Sequence, residues 1–174
     1  MKRICSTLNE ETIKNLKAFD EVLLSGTILT ARDAAHKRLF DLIKKGEELP
    51  VSLKNKIIYY TGPSPTPPEK IIGACGPTSS YRMDKFTPTL LKLGLKGMIG
   101  KGDRSKEVID SIIENKCVYF VAIGGTAALI SKSVTDQKVI CYENLQTEAI
   151  RAITVKDMPL IVAIDCFGNN IYSR

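Results

Sequence analysis

Tryptophan is absent from this chain of 174 residues, and histidine occurs once, at position 36. Aromatic residues make up 6% of the sequence, and none falls in a recognisable RNA-binding pattern. The formal net charge is +6, yet lysines and arginines are spread along the chain with no block of like charges. A mild excess of this kind suits an anionic small molecule or an acidic partner better than a nucleic acid. The five cysteines stand far apart, at 5, 75, 117, 141 and 166, with no C-x-x-C pair. With a single histidine they offer no zinc or iron–sulfur site built by this chain alone. Cys117, Cys141 and Cys166 lie in or beside apolar runs, as buried free thiols in a reducing compartment do. No apolar run approaches the roughly 20 residues of a membrane span. The opening MKRICSTLNEET turns polar too quickly for a secretory signal. The expectation is a soluble, cytoplasmic chain.

Two nucleotide-binding patterns also fail. GLKGMIGKG (94–102) resembles a phosphate-binding loop, but a magnesium-holding hydroxyl must follow the lysine and position 102 is glycine. GKGDRS (100–105) begins like a dinucleotide fingerprint and ends in Ser105, with no ribose-binding acid downstream.

What is present is an ordinary globular composition, 44% apolar and 25% charged. A chain of this length buries about 70% of its unfolded surface and reads most simply as one domain, 1–174. EVLLSGTILTA (21–31) predicts a strand kinked at Gly26, and ARDAAHKRLFDLIKKGE (31–47) a helix stopped by Gly46. KIIYYTG predicts a short strand, followed by a rigid proline-rich loop, PSPTPPEK (63–70). The second half alternates. IIGAC (71–75), KGMIG, VYFVAIG, KVICYE and PLIVAID read as strands. SYRMDKFTPTLLKLG, broken before Pro88, RSKEVIDSIIENK and TAALISKSV read as helices. The strands are continuously apolar, so both faces are buried, and the alternation implies an α/β sheet with a substantial parallel component. The first third departs from simple alternation and predicts an added β element, giving a layered β/β/α arrangement.

Ligands of open α/β sheets collect beyond the carboxyl ends of strands, where helices begin with free N–H groups. Three junctions fit: GPTSSYR (76–82), GKGDRS (100–105) and GGTAA (124–128). Each has a plain structural use as well. Thr78, Ser79 and Ser80 can cap a helix, Arg82 and Lys101 can be surface cations, and His36 can be a structural histidine. Arg32 enters the first turn of a helix, where the helix dipole disfavours a cation, so another partner such as an anion is called for. Arg32, Arg82 and Lys101 around Thr78 supply what a dicarboxylate needs. No activated nucleophile, metal cluster or acid–base pair stands beside them.

TARDAAHKR (30–38), GPTSSYRMD (76–84), IGKGDRS (99–105), AIGGTAALI (122–130) and MPLIVAIDCFGNNIY (158–172) together resemble the β subunit of class I, iron–sulfur fumarate hydratase. That subunit corresponds to the C-terminal domain of the single-chain enzymes, and the L-tartrate dehydratase β subunit is similar. The resemblance runs through nearly the whole chain, with Ser79 where the family pattern has threonine. It implies a swivelling β/β/α domain and reversible hydration of fumarate to L-malate. It also implies an α subunit on a separate chain, in a heterodimer or heterotetramer, whose three cysteines hold a [4Fe–4S] cluster that this chain does not ligate. By motif position, Arg32 and Arg82 fall on substrate carboxylates, Lys101 on a carboxylate or hydroxyl, and Thr78 on the C3 proton. A threonine hydroxyl lacks basicity at neutral pH and needs a helper, expected from the α subunit. The rival readings are tartrate dehydration to oxaloacetate and a non-catalytic anion-binding domain.

Overall fold

The apolar runs at 57–59, 97–100 and 118–121 become strands whose two faces are buried against different neighbours, whereas KVICYE falls in an outer strand whose side chains are largely exposed. The computed structural model describes residues 1–122 and 127–173, with side chains left aside for 127–129. Its strands are β1 (Lys2–Cys5), β2 (Glu21–Thr30), β3 (Ile57–Tyr59), β4 (Gly97–Gly100), β5 (Val118–Ala122), β6 (Val134–Cys141) and β7 (Ile150–Ile164). Its α-helices are α1 (Glu10–Lys14), α2 (Asp33–Lys44), α3 (Thr87–Lys92), α4 (Lys106–Asn115) and α5 (Ala127–Lys132). Two 3-10 helices, Ser80–Met83 and Glu143–Glu148, complete the elements. Among the described residues no helix is long and apolar enough to cross a membrane.

β1 to β5 pair in parallel in sequence order, and the long β7 runs antiparallel to β2, β5 and β6. Because β7 pairs with both β5 and β2, the sheet β2–β3–β4–β5–β7 closes on itself in a mixed α/β fold. β1 is the added element of the first third, lying beside β2. Gly26 makes the predicted kink: the β2–β7 register shifts there, φ is +126°, and a β-carbon would lie 2.2 Å from Ser6 Oγ.

Alternation within the strands separates two apolar cores. Ile57, Tyr59, Ile99, Val118 and Phe120 join Val22, Leu24, Ile153 and Leu160 in one. Ile58, Tyr60, Met98, Tyr119 and Val121 join Ala35, Leu39, Leu90, Val108 and Ile112, which belong to the helices, in the other. This double burial is why the strand sequences lack polar alternation.

IIGAC is not a strand. Ser64 and Ala74 exchange hydrogen bonds, Ser64 N–H to Ala74 O at 2.8 Å and Ala74 N–H to Ser64 Oγ at 2.8 Å. Gly73 packs so closely that a β-carbon would lie 2.1 Å from Ser64 O. The segment is the returning leg of the proline-rich loop and satisfies its backbone there instead of on a sheet edge. The predicted helix after it breaks as expected, into the 3-10 turn Ser80–Met83 and α3, with Pro88 in the first turn of α3, where its missing N–H costs nothing. The last strand is longer than PLIVAID suggested, beginning at Ile150. All the cysteines are free; Cys75, Cys117 and Cys166 are buried, Cys141 is half-buried and Cys5 exposed. Burial pushes the Cys117 thiol up to about 12 and the Cys75 thiol up to about 11, so neither is a nucleophile at neutral pH.

Candidate functional site

The carboxyl ends of β2, β3 and β4 deliver the candidate residues to one place. β2 ends at Thr30, and Arg32 follows as the N-cap of α2, without a side-chain cap bond. β4 ends at Gly100, and Lys101 follows. Beyond β3 the chain leaves as the proline-rich loop and returns at Gly76–Thr78. There Thr61 Oγ1 donates to Gly76 O at 2.8 Å, and Thr78 N–H donates to Tyr60 O at 2.8 Å. Ser79 then pairs in parallel with Lys101, which stitches the first two predicted junctions together. The third, Gly124–Thr126, lies outside the described residues.

Arg32 and Arg82 meet at an acid that the sequence reading passed over, and Arg82 in turn reaches Thr78. Asp33 Oδ1 accepts from Arg82 Nη2 at 2.9 Å and lies 3.7 Å from Arg32 Nε. Arg82 Nη2 also donates to Thr78 Oγ1 at 3.1 Å. Burial alone would raise the pKa of Asp33. The hydrogen bond from Arg82 and the charges of Arg82 and Arg32 outweigh it and hold the carboxyl below its usual range. The bond to Asp33 raises Arg82 in turn. Asp33 also occupies the first turn of α2, where its charge suits the helix dipole that Arg32 opposes. The Nε atoms of Arg32 and Arg82 are buried and lack a hydrogen-bond partner among the described residues. Two guanidinium groups thus share one carboxylate and keep uncommitted donors, the kind of group that binds anions through paired N–H bonds.

Arg82 and Asp33 border a cleft of about 850 Å³ that Lys37, Tyr81, Phe86 and Glu148 also line. Glu148 accepts from Ala34 N–H at 3.2 Å, on the first turn of α2. Lys101 does not enter this cleft. It lines a separate cavity of about 260 Å³ with Gly76, Pro77, Val121 and Tyr172. Its side chain is exposed and, among the described residues, its ammonium is paired with no carboxylate. Residues 76–82 contribute to both cavities, so Lys101 joins the arginines through backbone and not through side-chain contact.

Ser79 and Ser80 do not cap the turn that follows them. Ser79 stands at the N-cap of Ser80–Met83 with no side-chain cap bond. Ser80 is fully buried and bonds sideways, to Tyr119 and to Lys101 N–H. His36 is a structural histidine: it is fully buried, its Nδ1 donates to Arg32 O at 2.8 Å, and its ring meets Tyr60 edge-on at 5.3 Å. Burial pushes its pKa down to about 4, so it is neutral at physiological pH.

Sequence reasoning also missed a buried ion pair beneath the site. The Arg104 side chain is wholly buried, and its Nε donates to Asp84 Oδ1 at 2.6 Å. Its Nη2 donates to Tyr60 OH at 3.1 Å and to Thr87 Oγ1 at 3.0 Å. Asp84 Oδ2 accepts from Ser105 N–H at 2.8 Å. The pair locks the loop after β4 onto the turn that carries Arg82. GDRS carries no apolar neighbour to signal a buried arginine.

Among the described residues no group of three or more histidines, cysteines or acids is placed to hold a metal ion. An iron–sulfur cluster does not fit on the described part of this chain.

The family model for "Fumarase C-terminus" matches residues 2–174. A Methanocaldococcus jannaschii protein with the name "Putative L(+)-tartrate dehydratase subunit beta" is 36% identical over 180 residues, covering 100% of this chain and 92% of that protein. The anaerobic class I fumarate hydratase of Escherichia coli is 35% identical over 176 residues, covering 100% of this chain and 31% of the enzyme. Fumarate hydratase 2 of Leishmania major is 36% identical over 155 residues, covering 88% of this chain and 27% of the enzyme. The chain thus spans under a third of these two fumarate hydratases and nearly all of the archaeal subunit. On the match to residues 2–174, the chain belongs to the fumarase C-terminus family.

Proposed function

We propose that this chain is the β part of a class I fumarate hydratase, a hydro-lyase that reversibly hydrates fumarate to L-malate. Its α part, a separate chain, holds the [4Fe–4S] cluster, and the active unit is a heterodimer or heterotetramer in the cytoplasm. The reading takes residues 1–174 as one swivelling β/β/α domain. It is supported by parallel strands with α2, α3 and α4 over one face and β2, β7, α1 and α5 contributing to the core on the other.

The observation that carries the reading is the Arg82–Thr78 hydrogen bond beside a second arginine. Arg32 and Arg82 bind substrate carboxylates, and Lys101 supplies a point charge to a carboxylate or hydroxyl from its own cavity. Thr78 handles the C3 proton. A guanidinium donating to Oγ1 stabilises the alkoxide of the threonine, which answers part of the objection that a threonine is too weak an acid–base group. Asp33 does not touch Thr78; it reaches it only through Arg82, so a base for the hydroxyl still comes from the α part. The cations stabilise the enolate-like carboxylate that follows C3 deprotonation.

A second reading, β subunit of an L-tartrate dehydratase forming oxaloacetate, is favoured by the near full-length match to the archaeal subunit. Co-expression with the α subunit under anaerobic conditions, followed by assay on fumarate and on L-tartrate, separates the two. A stable complex that turns over fumarate is expected; no complex and no turnover of either substrate overturns the lyase reading. In that complex Arg82→Ala abolishes turnover, and wild-type rates would overturn the site. Purified alone, the chain is expected to be colourless and inactive, and iron–sulfur absorbance from it would overturn the division of labour.

A further inference from the structure

Lys101 lies between Gly100 and Gly102, the second with φ of +87°, in a backbone that has wide freedom of its own. One buried residue holds both of its backbone polar groups. Ser80 N–H donates to Lys101 O at 2.9 Å, and Lys101 N–H donates to Ser80 Oγ at 3.0 Å. Tyr119 OH donates its one proton to Gly102 O at 2.7 Å. Its 2.7 Å contact with Ser80 Oγ therefore has the serine as donor. The bonds run in one direction, from Lys101 N–H to Ser80 Oγ, on to Tyr119 Oη and back to Gly102 O. The circuit thus closes one residue from where it began. Gly100 leaves no slack, because a β-carbon there would lie 1.9 Å from Ser80 Oγ. Ser80 and Tyr119 are both fully buried and line neither the arginine cleft nor the Lys101 cavity.

We propose that Ser80 and Tyr119 are positioning residues for Lys101: the closed hydrogen-bond circuit holds the glycine-flanked lysine in register with Thr78, two residues before Ser80. The inference rests on Lys101 being a substrate-binding residue. Without the circuit, the loop keeps its ion pair at Arg104 but loses its hold on Lys101, and the ammonium samples positions out of reach of the substrate. A displacement of about 1 Å in such a group costs on the order of a hundredfold in rate.

The test is a double-mutant cycle in the complex with the α subunit. Tyr119→Phe keeps the buried ring and removes the hydroxyl, and Ser80→Ala removes the central link. Each is made alone and with Lys101→Ala, and kcat/KM, the affinity for a dicarboxylate competitive inhibitor and the thermal midpoint are measured. Tyr119→Phe alone is expected to lower kcat/KM by about 10- to 100-fold. In the Lys101→Ala background it should change kcat/KM and inhibitor affinity by less than about twofold, because its effect runs through the lysine. The same factor in both backgrounds marks an ordinary packing effect and overturns the proposal, as does wild-type kcat/KM in both single variants. Wild-type turnover in Lys101→Ala overturns the assignment of the lysine itself, whereas loss there with an additive Tyr119→Phe overturns the circuit alone.

Discussion

The two sides of the site hold their cations in opposite ways. Arg32 and Arg82 are held by a side chain, the Asp33 carboxylate, which with Arg82 lines an open cleft, and all three side chains are about a third exposed. Lys101 is held by its backbone, from beneath, by residues that never see solvent, while its side chain is free. The chemistry of the groups accounts for the difference. A guanidinium recognises a carboxylate through a fixed fork, so its plane must be set by a partner. An ammonium is a point charge with rotatable donors, so locating its root is enough. Asp33 and the arginines form a pair screened by water, worth little to stability. Arg104 and Asp84, under the lysine loop, form a pair whose loss leaves a buried charge.

That contrast can be broken from either side. After the loss of turnover expected for Arg82→Ala, the next largest effect is at the same side's chemistry: Thr78→Ala in the complex lowers kcat by about 10²- to 10⁴-fold, the range for removing a positioned proton-transfer group. Steady-state kinetics checks it against the thermal midpoint, which stays near wild type. Next comes the foundation of the lysine loop. Arg104→Met destabilises the chain by about 3 kcal/mol in denaturant unfolding, because Asp84, largely shielded from water, loses its partner and Tyr60 and Thr87 lose a buried donor. Adding Asp84→Leu recovers part of that loss, and a further loss of equal size would show that the two act independently. A third effect lies between the two sides, at His36. The folded chain keeps His36 neutral down to about pH 4, while the unfolded chain binds a proton below its ordinary value of 6.5. Stability from this residue is complete above that value and falls by roughly 3 kcal/mol as pH drops through the window. His36→Gln flattens the window relative to wild type, as unfolding free energies measured at several pH values will show. The smallest effect is at Asp33. Asp33→Asn changes unfolding free energy by less than about 1 kcal/mol, because the pair is half-exposed. Its KM for the dicarboxylate nonetheless rises, because Arg82 and Arg32 lose the charge that holds them together.

Much of this was legible before the structure. The alternation of apolar runs with amphipathic segments gave the α/β class, and Gly26 and Pro88 marked real interruptions. Glycine and hydroxyl residues after strands marked the junctions at 76–82 and 100–105, which the structure joins through the Ser79–Lys101 bridge, and the misplaced cation in the first turn of α2 drew attention to Arg32, which stands beside Asp33. The errors share one cause. IIGAC looks like a strand because apolar periodicity reports burial and not the partner that takes the backbone hydrogen bonds; here that partner is Ser64, across a proline-rich turn. Ser80 looks like a cap because local spacing reports the nearest helix, while its actual partners are Lys101 and Tyr119, at separations of 21 and 39 residues.

The sequence by itself therefore determined most of the segments that fold as strands and helices, IIGAC, β1 and α1 apart, and which residue types stand at the strand ends. Both follow from local preference and hydrophobic pattern, which act over a few residues. Only the tertiary structure decided how those residues are held. It placed Asp33 between two arginines, buried Arg104 on Asp84, and closed the circuit that fixes Lys101. Hydrogen bonds and ion pairs of this kind join residues far apart in sequence, and their strength comes from a burial that exists only once the sheet has closed.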